Sequence, residues 1–132
     1  MTLFETEFGT MGLCICFDIR FPELFGQMAA GGARMVFVPA AFNMTTGPAH
    51  WELLFRARAL DYQMYVMGCA PMRDETASYH SWGHSILTDP WGRVVCQLDE
   101  KEGILTAQID WELLERVRRE IPLGRYEKRI NG

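Results

Sequence analysis

Cys16 closes an apolar run, Met11-Gly-Leu-Cys-Ile-Cys16, and Phe17-Asp-Ile-Arg-Phe-Pro22-Glu-Leu24 follows at once. The run reads as a buried strand. Pro22 stands where a helix would begin, because proline is tolerated in a first helical turn. A thiol at such a strand-to-helix turn lies beside free backbone amides and the positive end of a helix dipole. That setting favours the thiolate and offers donors to an oxyanion, as in a nucleophile elbow. A cysteine at a strand end is more often a small core residue, so the reading of Cys16 depends on its company elsewhere in the chain.

Three blocks supply that company. Cys14-Ile-Cys-Phe-Asp-Ile-Arg-Phe-Pro-Glu-Leu24 resembles the nucleophile segment of the nitrilase superfamily, enzymes that hydrolyse nitriles, amides and carbamoyl groups. The match places the nucleophile at Cys16 and not at Cys14. Pro39-Ala-Ala-Phe-Asn-Met-Thr-Thr-Gly-Pro-Ala-His-Trp-Glu-Leu53 is similar to the corresponding block of omega-amidases, which hydrolyse the side-chain amide of 2-oxo acids such as 2-oxoglutaramate. Ser81-Trp-Gly-His-Ser-Ile-Leu-Thr-Asp-Pro-Trp-Gly92 is also family-like. The resemblance implies catalysis by a cysteine, a glutamate general base and a lysine at the oxyanion, with both partners ahead of the cysteine segment. Glu5 and Glu7 precede Cys16 here without the family's context, and no lysine does. The chain is therefore expected to correspond to the C-terminal half of the family's domain, residues 1–132 forming a partial carbon–nitrogen hydrolase domain with little activity in isolation.

The chemistry the resemblance implies is demanding. An amide carbon is a poor electrophile, so attack needs a thiolate, donors for a tetrahedral oxyanion and an acid for the departing ammonia. Cys16 would form a thioester that water cleaves, and the Phe17 amide is the nearest oxyanion donor. Glu52, in His50-Trp-Glu52, matches a second family glutamate near the nucleophile; the plainer alternative is a solvated acid in a first helical turn. Arg20 would bind a substrate carboxylate, or else pair with Glu23 or another carboxylate to hold the turn. Phe42 and Thr45 lie on a loop expected beside the pocket and would shape specificity, although turn formation also accounts for Asn43, Thr45 and Gly47. His84 and Ser85 suggest a serine hydrolase, but neighbours on a predicted strand point to opposite faces. Trp82 and Trp91 read as core or interface residues.

Composition narrows the class further. The 132 residues carry a formal charge of −4 and 48% hydrophobic residues, as in a globular chain. Basic residues gather at Arg116, Arg118 and Arg119 and at Arg125, Lys128 and Arg129. This clustering suits a solvated face or a subunit contact and gives no nucleic-acid stripe. No apolar stretch reaches the ~20 residues of a membrane span, and no secretory signal is visible. The expectation is a cytoplasmic homo-oligomer that acts on a small-molecule amide. The four cysteines then read as reduced thiols. There is no C-x-x-C pair and no His spacing suited to a metal, so neither metal nor cofactor is expected.

Positioning such groups needs an α/β scaffold, and the patterning predicts one. Strands are expected over Met11–Phe17, Arg34–Pro39 and Tyr65–Ala70, with helices over Pro22–Ala30 and His50–Met64 between them. The strand–helix–strand unit favours parallel pairing. Three further strands, Gly83–Thr88, Arg93–Leu98 and Ile104–Ile109, predict an antiparallel meander. Asp110 is a plausible N-cap for a helix over Trp111–Ile121, ended by Pro122. In the nitrilase-type four-layer α-β-β-α sandwich that the resemblance implies, a C-terminal portion is expected to supply part of each of two sheets. Exposed edges and a bare apolar face would follow.

Overall fold

The computed structural model describes residues 1–124. The basic residues Arg125, Lys128 and Arg129 lie outside them. A single mixed sheet of six strands runs in sequence order, β1 (Thr2–Thr6), β2 (Gly9–Leu13), β3 (Met35–Pro39), β4 (Tyr65–Cys69), β5 (Ile86–Thr88) and β6 (Val94–Gln97). Strands β2, β3 and β4 are parallel, and antiparallel neighbours flank them on both sides. The helices are α1 (Pro22–Ala30), α2 (Thr46–Tyr62) and α3 (Trp111–Glu120), with a short 3₁₀ helix at Cys16–Arg20. This is the expected α/β fold. One expectation fails: among the described residues every strand joins one sheet, not parts of two.

Local chemistry explains where the elements stop. Pro22 opens α1, and the Gly31 amide caps it on the carbonyls of Gln27 and Ala29. Asp110 caps α3 by accepting from the amides of Glu112 and Leu113, a cap that contributes about 1 kcal/mol. Helix α2 begins at Thr46, four residues ahead of the expected start at His50. The reason is Asn43, whose Oδ1 accepts from the Thr45 amide (3.0 Å), the Thr46 amide (2.8 Å) and the Thr46 hydroxyl (3.0 Å). The turn-forming Asn therefore serves as a cap.

Two strand expectations also change. The strand predicted to reach Phe17 ends at Leu13, because the Asp18 carboxylate takes the Ile15 amide (2.9 Å) while the Asp18 amide bonds the Ile15 carbonyl (3.0 Å), closing a turn. Residues 104–109 form no strand. They instead bring Leu105 and Ile109, with Trp111, against Met35, Tyr65 and Leu87 on one face of the sheet. The hairpin partner β1 was not anticipated; Gly9, at φ +104°, makes its tight return possible.

Helices α1 and α2 cover the opposite face. Trp51, Phe55 and Ala59 recur every four residues on the inner side of α2 and are buried with Phe25, Met28, Val36, Val38 and Val66. Backbone approach is close: the Trp82 side chain leaves no room for a Cβ at Gly47, and Phe55 would lie 2.5 Å from one at Gly68. On the α3 face the pairing register Leu13–Phe37–Met67–Leu87–Cys96 draws an apolar row across five strands. Of these only Leu87 is fully buried.

Candidate active site

The parallel strands β2, β3 and β4 deliver three loops to one edge of the sheet, the edge at which open α/β sheets bind ligands. Cys16 follows β2, Phe42 and Asn43 follow β3, and Pro71 and Met72 follow β4.

Cys16 enters the 3₁₀ helix at φ +47°. For a residue with a Cβ this left-handed conformation costs about 1–2 kcal/mol, and such strain gathers where a side chain must be aimed. The thiol is half-buried, packed against the main core, and hydrogen-bonded to nothing among the described residues. Among the described residues the amides of Cys16 and Phe17, the first of the 3₁₀ helix, have no backbone acceptor. They are free to serve as oxyanion donors. Cys14 is different in every respect: it is 2% exposed, its amide bonds the Phe37 carbonyl (3.1 Å), and burial, then the Asp18 charge, push its thiol up to about 11. Neither cysteine lies on β2, which ends before both.

Arg20, at the other end of the same short helix, is half-buried beside aromatic rings. Its guanidinium lies over the rings of Phe17 (5.8 Å) and Phe42 (5.1 Å), and it donates to Nδ1 of His50 (3.2 Å). It makes no ion pair among the described residues, so the expected alternative of a pair with Glu23 is absent. Phe42 is buried edge-on against Trp51, with ring centroids 5.1 Å apart, and forms the floor beneath Arg20. His50 was not singled out from sequence for this contact; only its position one turn into α2 could have suggested it.

The other sequence candidates are placed elsewhere. Glu52 is about half exposed and pairs with Arg56 (3.7 Å), one turn on along α2. Arg56 in turn donates to the Gly92 carbonyl (2.7 Å). Among the described residues no hydrogen bond or ion pair joins Glu52 to Cys16. Thr45 is exposed, and the hydroxyl fixed at this turn is that of Thr46. His84 and Ser85 lie in a loop, with His84 at φ +64°. His84 Nδ1 faces the Trp82 carbonyl (2.6 Å) and Ser85 Oγ accepts from the Ala70 amide (2.9 Å), so the pair forms no proton relay. Trp82 stacks on His84 at 4.2 Å, whereas Trp91 is exposed. Arg118, expected on a solvated face, donates to the carbonyls of Gln63 (2.9 Å) and Ala33 (3.1 Å). Among the described residues no group of His, Cys, Asp or Glu could hold a metal. A cavity of about 370 Å³ opens beside the end of β4, lined by Cys69, Met72, His84, Leu98, Lys101 and Glu102.

Comparison with known proteins places the chain among relatives. The carbon-nitrogen hydrolase family model matches residues 1–119. Omega-amidase NIT2-A of Xenopus laevis is 50% identical over 128 residues, which cover 97% of this chain and 46% of that protein. The chloroplastic omega-amidase of Arabidopsis thaliana is 50% identical over 127 residues, covering 96% and 34%. The crystal structure of Saccharomyces cerevisiae Nit3, described as a member of branch 10 of the nitrilase superfamily, superposes with a TM-score of 0.90 at 48% identity, covering 92% of this chain and 45% of that one. The chain thus spans less than half the length of these relatives.

Proposed function

This chain belongs to the carbon–nitrogen hydrolase family, and on that footing we propose that it carries the nucleophile side of an amidase site. Cys16 attacks the carbonyl carbon of a non-peptide amide, the amides of Cys16 and Phe17 hold the oxyanion, ammonia leaves, and water cleaves the Cys16 thioester. The observation that carries the reading is the pairing of a strained, unbonded thiol with a guanidinium that has no carboxylate partner, on one short helix. A carboxylate on the substrate would complete Arg20 by a charge-assisted, bidentate contact. An amide whose far end is a 2-oxo acid, such as 2-oxoglutaramate or 2-oxosuccinamate, meets that requirement. Relatives at 50% identity carry the name omega-amidase, which supports the same substrate class.

The glutamate base and the lysine implied by the family resemblance belong to this proposal too. Neither Glu52 nor any other carboxylate is hydrogen-bonded to Cys16 among the described residues, so a base must reach the thiol from outside the contacts seen here. A second reading, in which this chain alone is a non-catalytic module, predicts no acyl transfer to Cys16. Acylation separates the two. The chain is mixed with an activated ester of 2-oxoglutaric acid and with the corresponding acetyl ester, and peptide mass spectrometry locates the acyl group. We expect it on Cys16, and Arg20→Met to slow transfer from the dicarboxylic ester by about tenfold while leaving the acetyl ester unaffected. Acylation confined to Cys69 or Cys96 would refute the assignment.

A further inference from the structure

We propose that Arg58 is a positioning residue, a clamp on α2 that locks the Cys16–Arg20 segment in the conformation the nucleophile needs. This inference rests on the reading of Cys16 given above.

Arg58 is 8% exposed, yet among the described residues its guanidinium meets only one carboxylate, that of Asp61 at the rim (3.3 Å). Its other donors turn inward, Nε to the Ile19 carbonyl (2.8 Å) and Nη2 to the Arg20 carbonyl (3.4 Å). A buried cation is weak evidence for stability, because apolar residues of similar volume usually serve as well or better. What the cation supplies here is a location. The two carbonyls close the C-terminal end of the 3₁₀ helix that begins at Cys16 and ends at Arg20. Such carbonyls lack intrahelical partners and carry the negative end of the dipole.

The opposite end of the segment is tied by Asp18, which accepts the Ile15 amide. Cys16, at φ +47°, lies between the two ties. A strained residue keeps its conformation only where its surroundings over-determine it. If Arg58 lets go, the segment is free to turn Cys16 back toward an unstrained φ, which moves the thiol away from the free amides. Helix α2 holds the same segment a second time, through His50 against the Arg20 side chain. Arg58 grips the main chain and His50 the side chain, so one helix sets both the nucleophile and the carboxylate-binding cation.

The test uses the whole chain with Arg58→Met, Arg58→Lys and Asp61→Asn. Amide hydrogen exchange is read at Asp18 and Phe21, whose amides bond the Ile15 and Asp18 carbonyls, with Ala33 and Tyr65 as controls in the surrounding sheet and helices. Acylation of Cys16 is read in parallel. Arg58→Met should speed exchange at Asp18 and Phe21 by about tenfold, leave the controls within about twofold, and slow Cys16 acylation by about tenfold. Arg58→Lys keeps the charge and should recover part of both losses. Unchanged exchange at Asp18 and Phe21 in a folded Arg58→Met chain would overturn the clamp. If that variant unfolds, shown by rapid labelling of the buried Cys14, Asp61→Asn decides. Without the Asp61 charge the Arg58 fork is held by the two carbonyls alone and should grip them less tightly; faster exchange confined to Asp18 and Phe21 supports the clamp, whereas none overturns it. Exchange that responds as expected in a chain whose Cys16 is never acylated leaves the clamp standing and defeats the nucleophile assignment instead.

Discussion

Two cysteines compete for the role of nucleophile, and the structure separates them by a measurable factor. Burial and the Asp18 charge raise the Cys14 thiol from 9.0 to about 11. At about pH 8 the thiolate fraction of a group near 11 is roughly a hundredth of that of an unperturbed thiol, since each unit is a factor of ten. The thiolate is the reactive species, so Cys14 should alkylate at least ~100-fold more slowly than a free small-molecule thiol, before any steric penalty for a residue 2% exposed. Cys16 carries no comparable burial and opens onto the free amides of its own turn. The assay is a time course with iodoacetamide under native conditions, quenched and read by peptide mass spectrometry, with Cys69 as the exposed internal reference. Cys16 should be modified well ahead of Cys14, and the Cys14 rate should climb steeply with pH toward 11. In any active form Cys16→Ala should abolish ammonia release from 2-oxoglutaramate, whereas Cys14→Ala should retain a substantial rate. Comparable labelling of the two thiols in the folded chain, or loss of hydrolysis with Cys14→Ala alone, would show the reasoning wrong.

The same shift predicts alkaline instability. A thiol whose folded pKa is raised contributes stability that is complete below 9.0 and is lost as pH climbs toward 11, by about 2–3 kcal/mol; urea melts should show this slope, and Cys14→Ala should flatten it. Gly68→Ala would place a methyl within 2.5 Å of the Phe55 ring and 3.0 Å of Trp51, so a loss of about 1–3 kcal/mol is expected in the same melts. Glu52→Gln removes an exposed ion pair to Arg56, so stability should change by less than ~0.5 kcal/mol and Cys16 alkylation should stay at the parent rate; a large fall in reactivity would instead support a role for Glu52 beside the thiol. The isolated chain should hydrolyse 2-oxoglutaramate far below the ~1 s⁻¹ of ordinary enzymes, because among the described residues no base is bonded to Cys16; turnover near that rate in a monodisperse preparation would refute this.

Wherever one local signal dominated, the sequence was readable. Pro22 at N1 and Asp110 before α3 each act through one local preference, and the structure places both as their chemistry predicts. Misreadings arose where a side chain several residues away decided the outcome. Alternating apolar residues argued for a strand through Phe17, but the Asp18 carboxylate captured the Ile15 amide and ended it early. Periodicity could not foresee that, since an Asp carries the same polar label whether it points to water or to a main-chain amide. Asn43 extended α2 toward its N-terminus by the same means. Residues 104–109 carry strand-like residues, yet a strand also needs a partner, and this segment packs across the sheet face instead.

The candidate site divides along the same line. Cys16 and Arg20 could be read from sequence because both lie in one short run whose order encodes a turn. The partners that give them meaning, His50 beside Arg20 and Arg58 beneath Ile19, are 30 and 39 residues distant in sequence. Sequence spacing cannot rank such pairs. Only the crossing of α2 against the 3₁₀ helix brings them together, and that crossing is fixed by apolar burial of Trp51 and Phe55 rather than by the polar groups themselves. The polar contacts of this site are therefore placed by a core that has no chemistry of its own. It follows that a change in that core, such as Gly68→Ala pushing on Phe55, should alter Cys16 reactivity through the position of α2 even though its nearest contacts are Phe55 and Trp51 rather than the thiol.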